Sequence, residues 1–185
     1  MSQIIKNGRI RNDRWQILRL AENDDAATVK VPAGRVIVPL GVWQAQRPHL
    51  AGRAGAGTLG VWLTGGTDLA GLAENLAALP LIAVDFPEFT DGRGYSIATQ
   101  LRTRYGYAGE LRAIGDVLRD QFLFMIRCGF STLQPREGRY SRAQIGAALA
   151  RPARLAGVPT RQVEGSSATA FRRRPTDGGR EGQSA

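Results

Sequence analysis

The residues able to do chemistry cluster in two short stretches. Asp85, Asp91 and Arg93 lie in Asp85-Phe86-Pro87-Glu88-Phe89-Thr90-Asp91-Gly92-Arg93, and Asp116, Arg119 and Asp120 lie in Gly115-Asp116-Val117-Leu118-Arg119-Asp120. Carboxylates of this kind can hold or move a proton, so Asp85 and Asp116 are the catalytic candidates. Arg93 and Arg119 are the anion-binding candidates, because a guanidinium presents a fixed fork of donors to an oxyanion. Arg93 stands between two glycines, which allow a close backbone approach to a ligand. Arg119 falls in the first turn of an expected helix, where the macrodipole disfavours a cation. Its compensation is either Asp116, acting as N-cap and pairing at i,i+3, or a bound anion.

These stretches follow short apolar runs that read as buried strands: residues 36–38, 59–63, 81–84, 110–114 and 131–133. Helical patches alternate with them. Val42 to Ala51 has helical spacing before a glycine-rich loop over 52–57, and Leu69, Leu72, Ala73, Leu76 and Leu79 share a face. So do Ile97, Ala98, Leu101 and Tyr105, and later Leu118, Phe122, Met125 and Ile126. About five strands alternating with helices give an α/β fold with a mostly parallel sheet, either a half-barrel or flavodoxin-like. Ligands of such sheets bind beyond the carboxyl ends of the strands, where Asp85, Asp91, Arg93, Asp116 and Arg119 all stand. Trp43, Trp62, Phe122 and Phe124 read as core.

Around this body the chain divides into an N-terminal β extension (residues 1–34), the α/β domain (35–135), and a short helix with a basic tail (136–185). Asn7-Gly8 between isoleucines is a hairpin signal, and residues 15–20 can add a strand. Residues 140–149 read as a short helix. Beyond residue 151 the sequence is Arg-, Gly-, Pro- and Ser-rich without periodicity, which predicts disorder.

Composition closes several routes. One Cys (Cys128) and one His (His49) provide neither a disulfide nor the roughly four ligands of a structural zinc or iron–sulfur site. No metal site is expected. No cofactor is expected from a motif, and a flavin stays open. Gly65-Gly66-Thr67 lacks both the Lys of a Walker loop and the third Gly of a dinucleotide fingerprint, so a tight turn is expected there. Cys128 reads as a small buried hydrophobe and His49 as a surface residue. The net charge is +9, and residues 136–185 supply +6 of it through ten arginines and four acids. A basic segment with no organised face argues against nucleic acid as the partner. No signal peptide or membrane-spanning run is visible, so the expected location is the cytoplasm.

Val84-Asp85-Phe86-Pro87-Glu88-Phe89-Thr90-Asp91-Gly92-Arg93-Gly94-Tyr95-Ser96 resembles a bacterial family. So do Arg104-Tyr105-Gly106-Tyr107, Gly109-Glu110-Leu111-Arg112-Ala113-Ile114-Gly115-Asp116-Val117-Leu118-Arg119-Asp120-Gln121 and Arg127-Cys128-Gly129-Phe130. The family is a domain of unknown function commonly labelled an oxidoreductase involved in sulfite reduction. Its genes tend to lie beside those of the sulfite/nitrite reductase haemoprotein and phosphoadenylyl-sulfate reductase. The resemblance spans about residues 35–133. It implies an accessory or oxidoreductase-associated role in assimilatory sulfate and sulfite reduction, with sulfite reductase or other sulfur-assimilation enzymes as partners. It carries over no catalytic residue. The residues themselves leave a second reading, a small α/β enzyme acting on an anionic small molecule. From residue 151 the chain departs from its relatives, whose ends are acidic and aromatic; a lineage-specific end and a shifted reading frame both stay open.

Overall fold

The computed structural model describes residues 3–7, 9–70, 72, 76 and 78–150. Eight strands form one sheet: β1 (Gln3–Lys6), β2 (Arg9–Asn12), β3 (Gln16–Ile17), β4 (Val36–Pro39), β5 (Leu59–Thr64), β6 (Leu81–Phe86), β7 (Glu110–Gly115) and β8 (Thr132–Pro135). Their order is β2-β1-β8-β7-β6-β5-β4-β3. Strands β3 to β8 are parallel and adjacent in sequence order, the winding of a β/α half-barrel rather than of a flavodoxin-like sheet. The N-terminal hairpin joins the same sheet, with β1 antiparallel to β8 through Ile5 and Leu133. Asn7 turns the hairpin at φ 50°, a left-handed conformation that Asn tolerates better than most residues.

The sheet must curl. Seven inter-strand steps separate β2 from β3, about 34 Å across if flat. Yet only residues 13–15 connect these two strands, and four Cα steps reach about 14 Å at most. The two edges therefore come together, and the sheet has an outer and an inner face. Outward residues include Val36, Val38, Val61, Leu63, Ile82, Val84, Phe86, Leu111 and Ala113, all buried under the helices. Inward residues form a smaller apolar cluster, Ile37, Leu81, Ala83 and Ile114, joined by Trp15, Ile17 and Trp62. The period-two alternation within each strand sets this partition. Gly60 faces inward where a Cβ would lie 2.9 Å from a Leu81 methyl, so the narrow interior requires its absence.

Four helices are described: α1 (Leu40–Gly55), α2 (Arg93–Thr103), α3 (Phe122–Arg127) and α4 (Arg142–Ala150). Helix α1 runs through Gly52 to Gly55, past the expected boundary at residue 51. Buried Leu50 and Ala54 offset the glycine cost of about 1 kcal/mol, and Arg53 donates to the carbonyls of Pro32 and Gly34. Of the helix expected over residues 69–79, Leu69, Leu76 and Leu79 are buried, and residues 71, 73–75 and 77 lie outside the described residues. The expectation of disorder beyond residue 151 also lies outside them. After β7 the chain makes a single 3₁₀ turn (Arg119–Gln121) before α3, not one continuous helix. Phe124, expected in the core, is 53% exposed, and Ile126 of the expected apolar helix face is 42% exposed. Six helical residues span under two turns, so only Phe122 and Met125 reach the core.

Candidate functional site

A cleft of about 480 Å³ opens at the carboxyl end of β6, β7 and β8. Asp85 reaches it from β6, Gly115 from β7, and Gln134 and Pro135 from β8; Arg136 and Glu137 follow, and Ile17 and Arg19 close the far wall. Asp85 is buried and points inward because Val84 and Phe86 face the helices. Arg19 grips it in a bidentate pair, Nη1–Oδ2 2.5 Å and Nη2–Oδ1 2.8 Å. The guanidinium also lies 5.0 Å from the centre of the Trp62 ring, and Trp62 Nε1 donates to the carbonyl of Leu18. The Asp85 hydrogen bonds hold Arg19 protonated more firmly than an ordinary arginine, against the opposing effect of partial burial. Gly115 has φ 93°, and a Cβ there would lie 2.3 Å from the Phe86 carbonyl oxygen and 2.7 Å from Asp85 Oδ1. Only glycine leaves room for this carboxylate.

Beneath the cleft, Arg112 on β7 is 1% exposed, and all of its donors are used. Nε and Nη2 donate to Glu110 Oε1 at 3.0 and 2.7 Å; Nη1 donates to Asp13 Oδ2 at 2.5 Å and Gln134 Oε1 at 2.9 Å; Nη2 also reaches Asp13 Oδ1 at 3.4 Å. Lys6 Nζ donates to the other oxygen of Glu110 at 2.6 Å. Burial pushes the Glu110 carboxyl upward, but Arg112 and Lys6 outweigh it and hold the group below its usual range. The bond to Arg112 fixes the Gln134 amide with its oxygen inward, so its NH₂ is left for the cleft; it donates to no described residue. Arg136 uses one Nη2 bond on the Pro87 carbonyl, at 2.8 Å, and has no ion pair among the described residues. The cleft thus presents spare donors around an already neutralised carboxylate.

Of the residues singled out from sequence, Asp85 lines this cleft and the others do not. Asp116 is buried beside it, accepting the Phe89 N–H at 3.2 Å and lying 2.8 Å from Arg139 Nη1. Arg139, not Arg119, is its ionic partner. The 3₁₀ turn gives Arg119 no capping side chain, and its N–H donates to the Tyr140 hydroxyl at 3.4 Å. Arg93 is exposed and paired with Asp91 at 2.8 Å. Its backbone packs against Gly65, where a Cβ would lie 2.8 Å from Arg93 Cβ, so the Gly65-Gly66 turn is occupied by a packing contact. Cys128 is half-buried and His49 exposed.

Arg19, Gly115, Gln134 and Arg136 were not anticipated as site residues. A charge inside an apolar strand, as in Glu110-Leu111-Arg112-Ala113-Ile114, was the available signal that the inner face is polar. Among the described residues, no group of His, Cys, Asp and Glu is placed to hold a metal ion, and no helix is long and apolar enough to cross a membrane.

No curated protein and no solved structure matches the chain. The family described as "Bacterial protein of unknown function (DUF934)" matches residues 60–154, just over half of the sequence and the whole of β6, β7 and β8. Seven of the nine residues around the cleft lie inside that span. The chain belongs to this bacterial family of unknown function.

Proposed function

We propose that this protein is a component of assimilatory sulfite reduction that binds a small anionic molecule in the carboxyl-end cleft and acts beside the reductase haemoprotein. One observation carries the anion-binding part: Asp85 is neutralised by Arg19, while the Gln134 NH₂ and most of the Arg136 guanidinium remain available on the same cleft. Donors fixed before a ligand arrives favour an anion, because little ordering remains to oppose binding. The place in sulfite reduction rests on the resemblance of the runs that contain Asp85 and Gly115.

Thermal unfolding in sulfite, sulfate and chloride tests the site. A ligand at a hundredfold excess over its Kd stabilises by roughly 2.7 kcal/mol. Sulfite or sulfate is expected to raise the Tm above the chloride control, and Arg136→Ala to remove the rise. Equal Tm values in the three salts would overturn the anion site. Deleting the gene in its bacterium is expected to block growth on sulfate and leave growth on cysteine; normal growth on sulfate would overturn the pathway assignment.

The position of Asp85 supports a second reading, an enzyme in which this carboxylate moves a proton on the bound anion. Asp85→Asn is then expected to retain the anion-dependent rise in Tm and to fail in restoring growth on sulfate.

A further inference from the structure

The N-terminal hairpin sorts its side chains by face. Ile5 and Ile10 stand opposite each other and turn outward, Ile5 into the main core and Ile10 against it. The period-two alternation of a strand therefore sends Lys6, Arg9 and Arg11 to the other face. Lys6 stands directly opposite Arg9, with their Cβ atoms about 5 Å apart, and Arg11 is its diagonal neighbour at about 7–8 Å. All three are exposed, and with Asn7 they line an open depression of about 630 Å³. Like charges directly opposite on a sheet destabilise it. Little in the chain offsets them. Glu110 takes Lys6 on Oε2, but its Oε1 is spent on Arg112. Asp13, two residues beyond Arg11, is buried and also held by Arg112. Arg9 and Arg11 have no ion pair and no side-chain hydrogen bond among the described residues. No apolar side chain lines the depression, so charge is the attraction it offers.

We propose that this face of the hairpin binds a small multivalent oxyanion of the condensed-phosphate class, as a free phosphate chain or as the phosphate chain of a nucleotide. Each guanidinium presents a fork matched to phosphate oxygens, and Lys6 adds a point charge. A single ionic contact at an exposed site is worth little against water and salt. Appreciable binding therefore requires several contacts at once, and linked phosphate groups on one small ligand supply them. Binding also removes the repulsion between Lys6 and Arg9. An acidic polypeptide fits less well, because the depression has no apolar pocket to anchor it. Single-stranded nucleic acid finds no aromatic ring there on which a base can stack. This inference uses no property of the carboxyl-end cleft and stands or falls separately from it.

The test is isothermal titration calorimetry on the full chain at fixed ionic strength. Tripolyphosphate is expected to bind about tenfold more tightly than orthophosphate, and its affinity to fall as salt rises. Arg9→Gln combined with Arg11→Gln is expected to weaken tripolyphosphate by about tenfold or more. Arg47→Gln combined with Arg104→Gln, an equal charge change at exposed positions outside the hairpin, is expected to weaken it less. Without ligand, the Arg9/Arg11 variant is expected to melt no lower than the unaltered protein, because it loses only repulsion. ATP separates the two sources: tighter binding than tripolyphosphate assigns a nucleotide, and equal or weaker binding assigns the free chain. No binding, orthophosphate binding as tightly as tripolyphosphate, equal losses from the two double variants, or a lower melting point of the unliganded Arg9/Arg11 variant would overturn the proposal. So would an equal loss from Arg136→Ala, which would place the anion in the cleft, or tighter binding of polyglutamate or of a single-stranded oligonucleotide.

Discussion

Arg112 concentrates more of the molecule's polar chemistry than any other side chain described. Five hydrogen bonds converge on one buried guanidinium and tie together β7, β8 and the connector from β2 to β3. Removing one member of such a group leaves buried charge without compensation and costs about 3–5 kcal/mol. Arg112→Met is expected to lose that much in urea unfolding, and adding Asp13→Leu to recover part of it, because the abandoned carboxylate goes too. Glu110 gives the group a pH signature. Its folded pKa is depressed, so its contribution to stability is complete above the unfolded value of about 4.5 and declines as pH falls through the lower folded value. Urea midpoints measured downward from pH 5 are expected to fall less steeply in Glu110→Gln than in the unaltered protein.

At the scale of elements, the ends of the parallel strands determine what the cleft can contain. Gly115 is the sharpest constraint. Gly115→Ala combines a left-handed backbone with a Cβ overlapping the Phe86 carbonyl and Asp85, and strain of this type costs of order 1–3 kcal/mol. A lower Tm is expected, together with loss of any sulfite- or sulfate-dependent stabilisation. The strands themselves were legible in sequence, because runs such as Leu81-Ile82-Ala83-Val84 bury both faces and tolerate few polar interruptions. Asp85 was legible as well, being the first polar residue after such a run. Arg19 was not: it lies 66 residues away in the chain, and only closure of the sheet brings it to Asp85. The Asp116–Arg119 pairing was a local inference from i,i+3 spacing. It failed because the chain turns in 3₁₀ geometry there, while Arg139 arrives from beyond β8.

For the whole molecule, the N-terminal strands complete the sheet rather than decorate it. Ile5 packs in the main core, Asp13 neutralises Arg112 inside, and Arg19 neutralises Asp85 at the mouth. A fragment lacking residues 1–20 therefore leaves Asp85 buried without its cation, Arg112 without Asp13 and the β8 edge unpaired. It is expected to show no cooperative thermal transition by near-ultraviolet circular dichroism; a sharp melt like that of the full chain would contradict this account. Sequence reading placed these strands in an extension because hairpin and turn signals are local. Which edge a hairpin pairs with is settled by contacts more than a hundred residues apart, such as Ile5 with Leu133.

The bond between Asp13 and Arg112 spans 99 residues of chain, and this separation sets a timetable for biosynthesis. At ~5–20 residues per second, a ribosome takes about 5–20 s to supply Arg112 after it has added Asp13. During that interval the hairpin waits with Ile4 and Ile5 uncovered and one strand edge unpaired, the condition under which nascent chains pair with one another. The first strands synthesised are thus the last to be sheltered, and soluble yield depends on how well the cell shields them until β7 and β8 emerge.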